Sequence, residues 1–331
     1  MAGACCADES PGVIHLLATG GTIAMQRSAA AGGNVVALDG ASLLALVGDL
    51  GHRVDLQVED WERLPAVHRG PADLWRLRQR VGAIVSGPDA PAGVVITHGT
   101  DALEETAYVL ARTVAPDVPV VVTGAMRTSS DPEWDGPRNL RDAVRVAGDP
   151  QGRGRGTMVV FAGKILDGHH ATKLNAFDPD AFGSPYQAPL GRVDPEGLYF
   201  DRPRAPGPAL LPARDLSPRV AILPLLPGDR GELLDLARPR FDGVVIVGYG
   251  RGNVPPGSVP AIEAWLDEGK PVVLASRCPF GEVGGEYAFE GGGGRLLRMG
   301  VVPAGPRPTS LARLELVLCL SAGVPYGGGA T

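Results

Sequence analysis

Short apolar runs recur along the chain at 13–18, 93–97, 118–123 and 157–161, and again at 219–223, 243–247 and 271–275. They are near-continuous stretches of Val, Ile and Leu, the pattern of strands buried on both faces of a parallel sheet. Between them lie amphipathic stretches, 71–86, 101–114, 138–147, 258–268 and 309–322, long enough to cross from one parallel strand to the next. The alternation predicts an α/β fold built on parallel sheet. The stretch 199–218, YFDRPRAPGPALLPARDLSP, has no periodicity, and its prolines exclude a central strand or a helix interior. It is expected to link an N-terminal domain, 1–198, to a smaller C-terminal domain of sheet and helices, 219–331. The run GGGG at 291–294 reads as a flexible loop.

Composition narrows the choice of partner. At 331 residues there is room for two domains with separate cores, and a hydrophobic fraction of 44% excludes general disorder. The net charge is −6 and the arginines are scattered, so no nucleic-acid footprint is present and a small-molecule partner is expected. Cys5, Cys6, Cys278 and Cys319 have no zinc-ligand spacing and suggest no disulfide framework. The opening MAGACCADESPG lacks the basic and apolar regions of a secretion signal, and no 18-residue apolar stretch occurs. A cytoplasmic protein without membrane attachment is the expectation.

Two turns carry the candidate chemistry. HLLATGGTIA at 15–24 and VVITHGTDALEETA at 94–107 each follow a predicted strand. Thr22 and Thr100 are therefore expected at the carboxyl ends of strands, where open α/β sheets place their ligands. Gly20-Gly21 with Asp39 some way on invites comparison with a dinucleotide fingerprint, but the third glycine is absent and no lysine follows to hold a phosphate. No cofactor is expected. Gly21 instead lets the backbone turn sharply and present Thr22, with amides crowding a developing negative charge. Asp101 and Glu104 have the spacing of a capping box, which would hold the Asp101 carboxylate at a helix start, suited to an ammonium group.

A threonine hydroxyl needs a base within hydrogen-bond reach. Only three lysines occur, Lys164, Lys173 and Lys270, and Lys173 in DGHHATKLNAFD can return to the carboxyl edge of the sheet. Desolvated there, its amine would relay a proton through Thr100; the alternative is a solvated loop lysine. His169 and His170 are adjacent with no third ligand nearby, and no metal site is expected.

The motifs ATGGTIA, THGTDALEETA, GAMR at 124–127, DGPRNLRDA at 135–143, DGHHATK at 167–173 and GYGRGN at 248–253 resemble, in order, those of the bacterial L-asparaginase family. The resemblance runs from about residue 13 to 322. It implies a larger flavodoxin-like N-terminal domain, a smaller C-terminal α/β domain, and a homo-oligomer, either an intimate dimer or a homotetramer made as a dimer of dimers. It further implies that Thr22 is the nucleophile, with Thr100, Asp101 and Lys173 as the accompanying catalytic group, although some accounts of the family make the second threonine attack. Asp101 would also bind the substrate α-ammonium. Gly21 and Gly99 would supply substrate contacts, and Asn253 would complete the site of a neighbouring subunit.

Three departures from the family pattern stand out. In LPAVHRGPADL at 64–74, Ala66 occupies the place of a serine that grips the substrate α-carboxylate, and Val67 follows it. A lost hydrogen bond to a charged group costs roughly 1.5–3 kcal/mol. The segment after Thr22, mobile in relatives, has no tyrosine to orient the nucleophile. After the SR-x-P turn, neither Glu282 nor Glu286 aligns securely with the acidic residue of periplasmic members. The expected activity is hydrolysis of L-asparagine to L-aspartate and ammonia. Its rivals are an amidohydrolase for glutamine or a substituted asparagine, and a non-catalytic binding protein of the same fold. An amidotransferase subunit with a similar domain fits poorly, because the catalytic turn begins so near the start of the sequence.

Overall fold

The predicted strands all form in the computed structural model, which describes residues 12–50, 55–115, 117–205 and 207–327. Expectations about Cys5, Cys6 and the opening dozen residues fall almost wholly outside that range. The chain divides into two compact units, Met1–Ser184 with Ala188–Leu210 and Pro185–Gln187 with Leu211–Thr331.

In the first unit β1 (Ile14–Ala18) leads into a hairpin of β2 (Met25–Ser28) and β3 (Gly33–Val36), then α1 (Gly40–Val47) and β4 (Leu56–Asp60). After these come α2 (Pro71–Ser86), β5 (Gly93–Thr97), α3 (Leu103–Thr113), β6 (Val120–Thr123), α4 (Gly136–Gly148) and β7 (Thr157–Phe161). The parallel strands lie in the order β4-β1-β5-β6-β7. This is the doubly wound order of flavodoxin-like folds, with its switch point between β1 and β5. α1 and α4 cover one face through Leu43, Val47, Leu140 and Val144, while α2 and α3 cover the other through Leu77, Val81, Leu103 and Leu110. Burying each such side chain is worth about 1.5–3 kcal/mol.

Local chemistry sets the helix starts. Asp39, the would-be ribose ligand, caps α1 by accepting from Ser42 N at 2.7 Å. Pro71 occupies the first turn of α2, and Asp73 accepts from Gly70 N at 2.8 Å.

Beyond β7 the chain forms short antiparallel strands: β8 (Lys164–Asp167), β9 (Thr172–Lys173), β10 (Phe182–Gly183), β11 (Gly191–Val193) and β12 (Leu198–Phe200). β8, β11 and β12 extend the main sheet at its β7 edge, while β9 and β10 pair with each other. The expected linker 199–218 needs correction here. Its first residues belong to β12, and the Ala209 carbonyl accepts from the Arg112 guanidinium at 2.9 Å, so the first unit continues to Leu210. Proline is tolerated beside an edge strand because no ladder partner is lost.

The second unit alternates β13 (Val220–Pro224), α5 (Glu232–Ala237), β14 (Gly243–Gly248), α6 (Val259–Asp267), β15 (Val272–Ser276), α7 (Gly293–Met299), β16 (Val302–Pro303) and α8 (Thr309–Ala322). Its strands are parallel and lie in sequence order around a core that includes Ile246, Ile262, Trp265 and Leu274. The GGGG run is not a loose loop: Gly292 caps α7, and Gly293 and Gly294 begin it. A Cβ on Gly293 would stand 2.7 Å from the carbonyls of Arg251 and Gly284, so close backbone packing explains the composition.

Candidate active site

The two threonine turns emerge side by side at the switch point, Thr22 after β1 and Thr100 after β5. The Thr19 hydroxyl donates to Thr97 O at 2.7 Å and locks the strand ends together. Gly20 and Gly21 then turn the chain with φ of 90° and 80°, and Thr22 opens a single 3-10 turn, Thr22–Ala24, in which it is half-buried. Three backbones meet here. A Cβ on Gly20 would lie 2.9 Å from both Leu64 N and Leu64 O, one on Gly21 would run into Gly99 N and Cα, and one on Gly99 would lie 2.7 Å from Ala66 Cβ. The segments 20–22, 64–66 and 98–100 thus interlock because Gly20, Gly21 and Gly99 lack a side chain where the neighbouring segment passes. Ala66 is buried in this junction, whereas the Val67 side chain projects outward and is 68% exposed.

Lys173 reaches the same edge. Its Nζ donates to Thr100 Oγ1 and to Asp101 Oδ1, each at 2.9 Å. Thr100 is buried, the Lys173 side chain is 19% exposed, and the Asp101 carboxylate is 64% exposed. A buried hydroxyl, a cation and an open carboxylate are thereby held in one chain of contacts. The capping box expected from Asp101 and Glu104 does not form: α3 starts after Ala102 with no side-chain cap. Glu104 Oε2 instead accepts from Lys173 N at 2.7 Å and from the Thr172 hydroxyl, fixing the strand that carries Lys173. That role is invisible in the sequence because it spans 69 positions.

His98 is a further member that sequence reasoning passed over. Its Nδ1 donates to Gly99 O at 2.8 Å, since a carbonyl can only accept, which leaves Nε2 to accept from the Thr106 hydroxyl at 3.1 Å. Complete burial pushes its pKa down to about 4, the bond to Gly99 O opposes this, and the nearby Arg69 charge adds to it. The ring is therefore neutral and rigidly fixes the backbone before Thr100. The motif position in THGT was the available signal.

Other motif residues are scaffolding. Asp135 accepts from Met126 N and Arg127 N at 3.0 and 2.9 Å, and Asn139 links Gly124 O to Ala162 N, holding Ala162 at φ 49°. His169 Nδ1 pairs with Asp167 at 2.8 Å. The segment after Thr22, expected to be mobile, is a β-hairpin whose Met25 O accepts from Ser129 N and whose Arg27 N donates to Ser130 Oγ. Asn253 lies in the second unit, where its Oδ1 accepts from Gly293 N at 3.1 Å. Cys278 and Cys319 form no disulfide among the described residues.

Comparison with known proteins agrees with this geometry. The family model described as "Asparaginase, N-terminal" matches residues 13–205, and "Glutaminase/Asparaginase C-terminal domain" matches 219–326. A probable L-asparaginase of Deinococcus radiodurans is 40% identical over 94% of this chain and 93% of its own length. An L-asparaginase of Bacillus licheniformis is 32% identical over 93% and 95%. The crystal structure of a probable cytoplasmic L-asparaginase from Campylobacter jejuni superposes with a TM-score of 0.80 at 29% identity, covering 93% of this chain and 94% of that one.

Proposed function

Because the chain belongs to the asparaginase family, we propose that it hydrolyses the side-chain amide of L-asparagine to L-aspartate and ammonia, with Thr22, Thr100, Asp101 and Lys173 as its catalytic group. The observation that carries this assignment is the Lys173 Nζ bridge to Thr100 Oγ1 and Asp101 Oδ1, beside the glycine junction that presents Thr22. Thr22 Oγ attacks the amide carbon. Backbone N–H groups around Gly99 and Thr100 receive the oxyanion, and the Thr100–Lys173 pair passes the proton that ammonia carries away. Water then releases aspartate from the acyl-enzyme. The exposed Asp101 carboxylate takes the substrate α-ammonium, while Gly21, Ala66 and Val67 line the approach of the rest.

No cofactor or metal enters this scheme. The partners are the amino-acid amide and further copies of the chain. Leu226, Leu233 and Leu236 are each more than half exposed on the second unit, apolar surface that a neighbouring subunit would cover. Asn253 would then complete the neighbour's site in a dimer or a dimer of dimers. A cytoplasmic location accords with the similarity to the probable cytoplasmic L-asparaginase from Campylobacter jejuni, and no helix among the described residues is long and apolar enough to cross a membrane.

The absence of a hydroxyl at Ala66 favours one rival, a preference for glutamine or a substituted asparagine. Ammonia release measured across L-asparagine, D-asparagine, L-glutamine and β-substituted asparagines distinguishes the two. The highest kcat/KM is expected with L-asparagine. A substituted or longer amide at the top of the panel would transfer the assignment to the rival, and no release from any of them would leave a binding protein.

A further inference from the structure

Arg69 is a cation buried beneath the nucleophile turn, and the mechanism above makes no use of it. Its side chain is 4% exposed. Nη2 donates both to Thr19 O, where β1 gives way to Gly20-Gly21, and to Glu62 O. Nε and Nη1 are buried and have no hydrogen-bond partner among the described residues. The nearest paired carboxylate, Glu62 Oε2, stands 3.9 Å from Nη1, and the other oxygen of Glu62 is engaged by Arg76. A guanidinium so placed has surrendered most of its hydration for incomplete compensation, which disfavours burial unless another anion profits from the charge. Its place in the chain indicates which anion. Arg69 N donates to Ala66 O at 3.1 Å, so the guanidinium is carried by the same turn whose Ala66 packs on Gly99. The bond to Thr19 O also withdraws a carbonyl dipole that would repel a carboxylate at the strand ends. Its field reaches the site, since the same charge helps keep His98 neutral.

We propose that Arg69 is a positioning residue that sets specificity for substrates with a free α-carboxylate, supplying through space the attraction that no hydroxyl at position 66 provides. The inference rests on the asparaginase assignment. The atoms of Arg69 stay enclosed; its charge and its brace on Thr19 act on the substrate through the turn.

Steady-state hydrolysis of L-asparagine and competitive inhibition by L-aspartate, in wild type, R69M, R69K and E62Q, test this. R69M is expected to raise KM for L-asparagine and Ki for L-aspartate by about tenfold while kcat changes by less than about threefold. R69K keeps the charge without the fork and should recover most of that loss. E62Q removes the compensating carboxylate and should lower both constants by about twofold. If R69M does not fold, R69K against E62Q retains the test, because the two must not move Ki together. Unchanged constants in R69M overturn the inference, and so does an R69K as impaired as R69M with E62Q unaltered, which would mark a purely mechanical brace. A wild type that releases no ammonia from L-asparagine would instead overturn the asparaginase assignment itself.

Discussion

A threonine hydroxyl ionises far above neutral pH, so the residue-scale question is what lies within a proton's reach of it. For Thr100 the answer is Lys173 Nζ at 2.9 Å, held by a backbone that Glu104 pins from α3. Lys173→Met should therefore lower kcat by at least about a thousandfold with little change in stability, since the side chain is polar, partly exposed and outside both cores. Thr22→Ala should do the same. Ammonia release near wild type from either variant, with an unchanged circular dichroism spectrum, would remove that residue from the mechanism. His98 acts on stability. Its folded-state pKa is pushed down to about 4 from 6.5. Between those values the unfolded chain binds the proton that the folded chain refuses, so stability is complete above about pH 6.5 and falls as the pH drops toward 4. The loss amounts to about 3 kcal/mol. His98→Asn should flatten that slope. Urea unfolding at pH 5 and 7.5 reads it, and an undiminished difference in the variant would assign the acid lability to other groups.

At the scale of elements, what could be foreseen from the sequence depended on whether a signal was local. Parallel strands β4, mostly exposed, and β16, two residues long, offered no apolar run, whereas β1, β5, β6, β7, β13, β14 and β15 and the helices α2, α3, α4, α6 and α8 were legible because each carries its own apolar period and its own ending. β8, β11 and β12 were not, since each spans only three or four residues and exists through pairing across the sheet edge. The same distinction explains Glu104, whose capping spacing was real but whose carboxylate was drawn to Thr172 and Lys173 instead. Gly21 was read correctly as a turn, yet its second constraint, contact with Gly99, follows only from the fold. Gly21→Ala should accordingly cost more than the ordinary strain of a left-handed alanine. Loss of at least about 3 kcal/mol, or of activity with the fold retained, is expected, and a fully active Gly21→Ala enzyme would deny the junction its role. α4 offers a test in the opposite direction. Burial raises Asp142 to about 6, Arg138 lying 3.6 Å away offsets this only in part, and Oδ2 has no hydrogen bond among the described residues. A carboxylate raised above its unfolded value stabilises below pH 3.8 and loses that contribution as the pH climbs through 6. Asp142→Asn should thus gain about 1–2 kcal/mol at pH 8, after discounting for partial exposure, and much less at pH 4. Thermal unfolding at the two pH values would reveal an equal or absent gain.

For the whole molecule the open matter is how many chains make one site. Every catalytic side chain proposed here comes from the first unit, and Asn253 from the second. Within its own chain Asn253 already has work, accepting from Gly293 N at the start of α7, while its backbone closes the Tyr249–Asn253 bridge. That bond occupies Oδ1 and orients the side chain, so Nδ2 is the end that would reach a substrate held by another copy. In a symmetric dimer two such sites would form, each with the threonines of one subunit and Asn253 of its partner. Thr22→Ala and Asn253→Ala proteins should each be inactive alone. After dissociation and reassembly in equal amounts, half the molecules should be heterodimers in which one site carries both lesions and the other carries none. Activity should recover to about a quarter of wild type, one intact site in four. Because Asn253→Ala also removes the α7 contact, its thermal stability must be measured beside its activity. Reassembly that yields heterodimers by mass but no activity above the parents would confine Asn253 to the support of α7 and leave each chain with a complete site of its own.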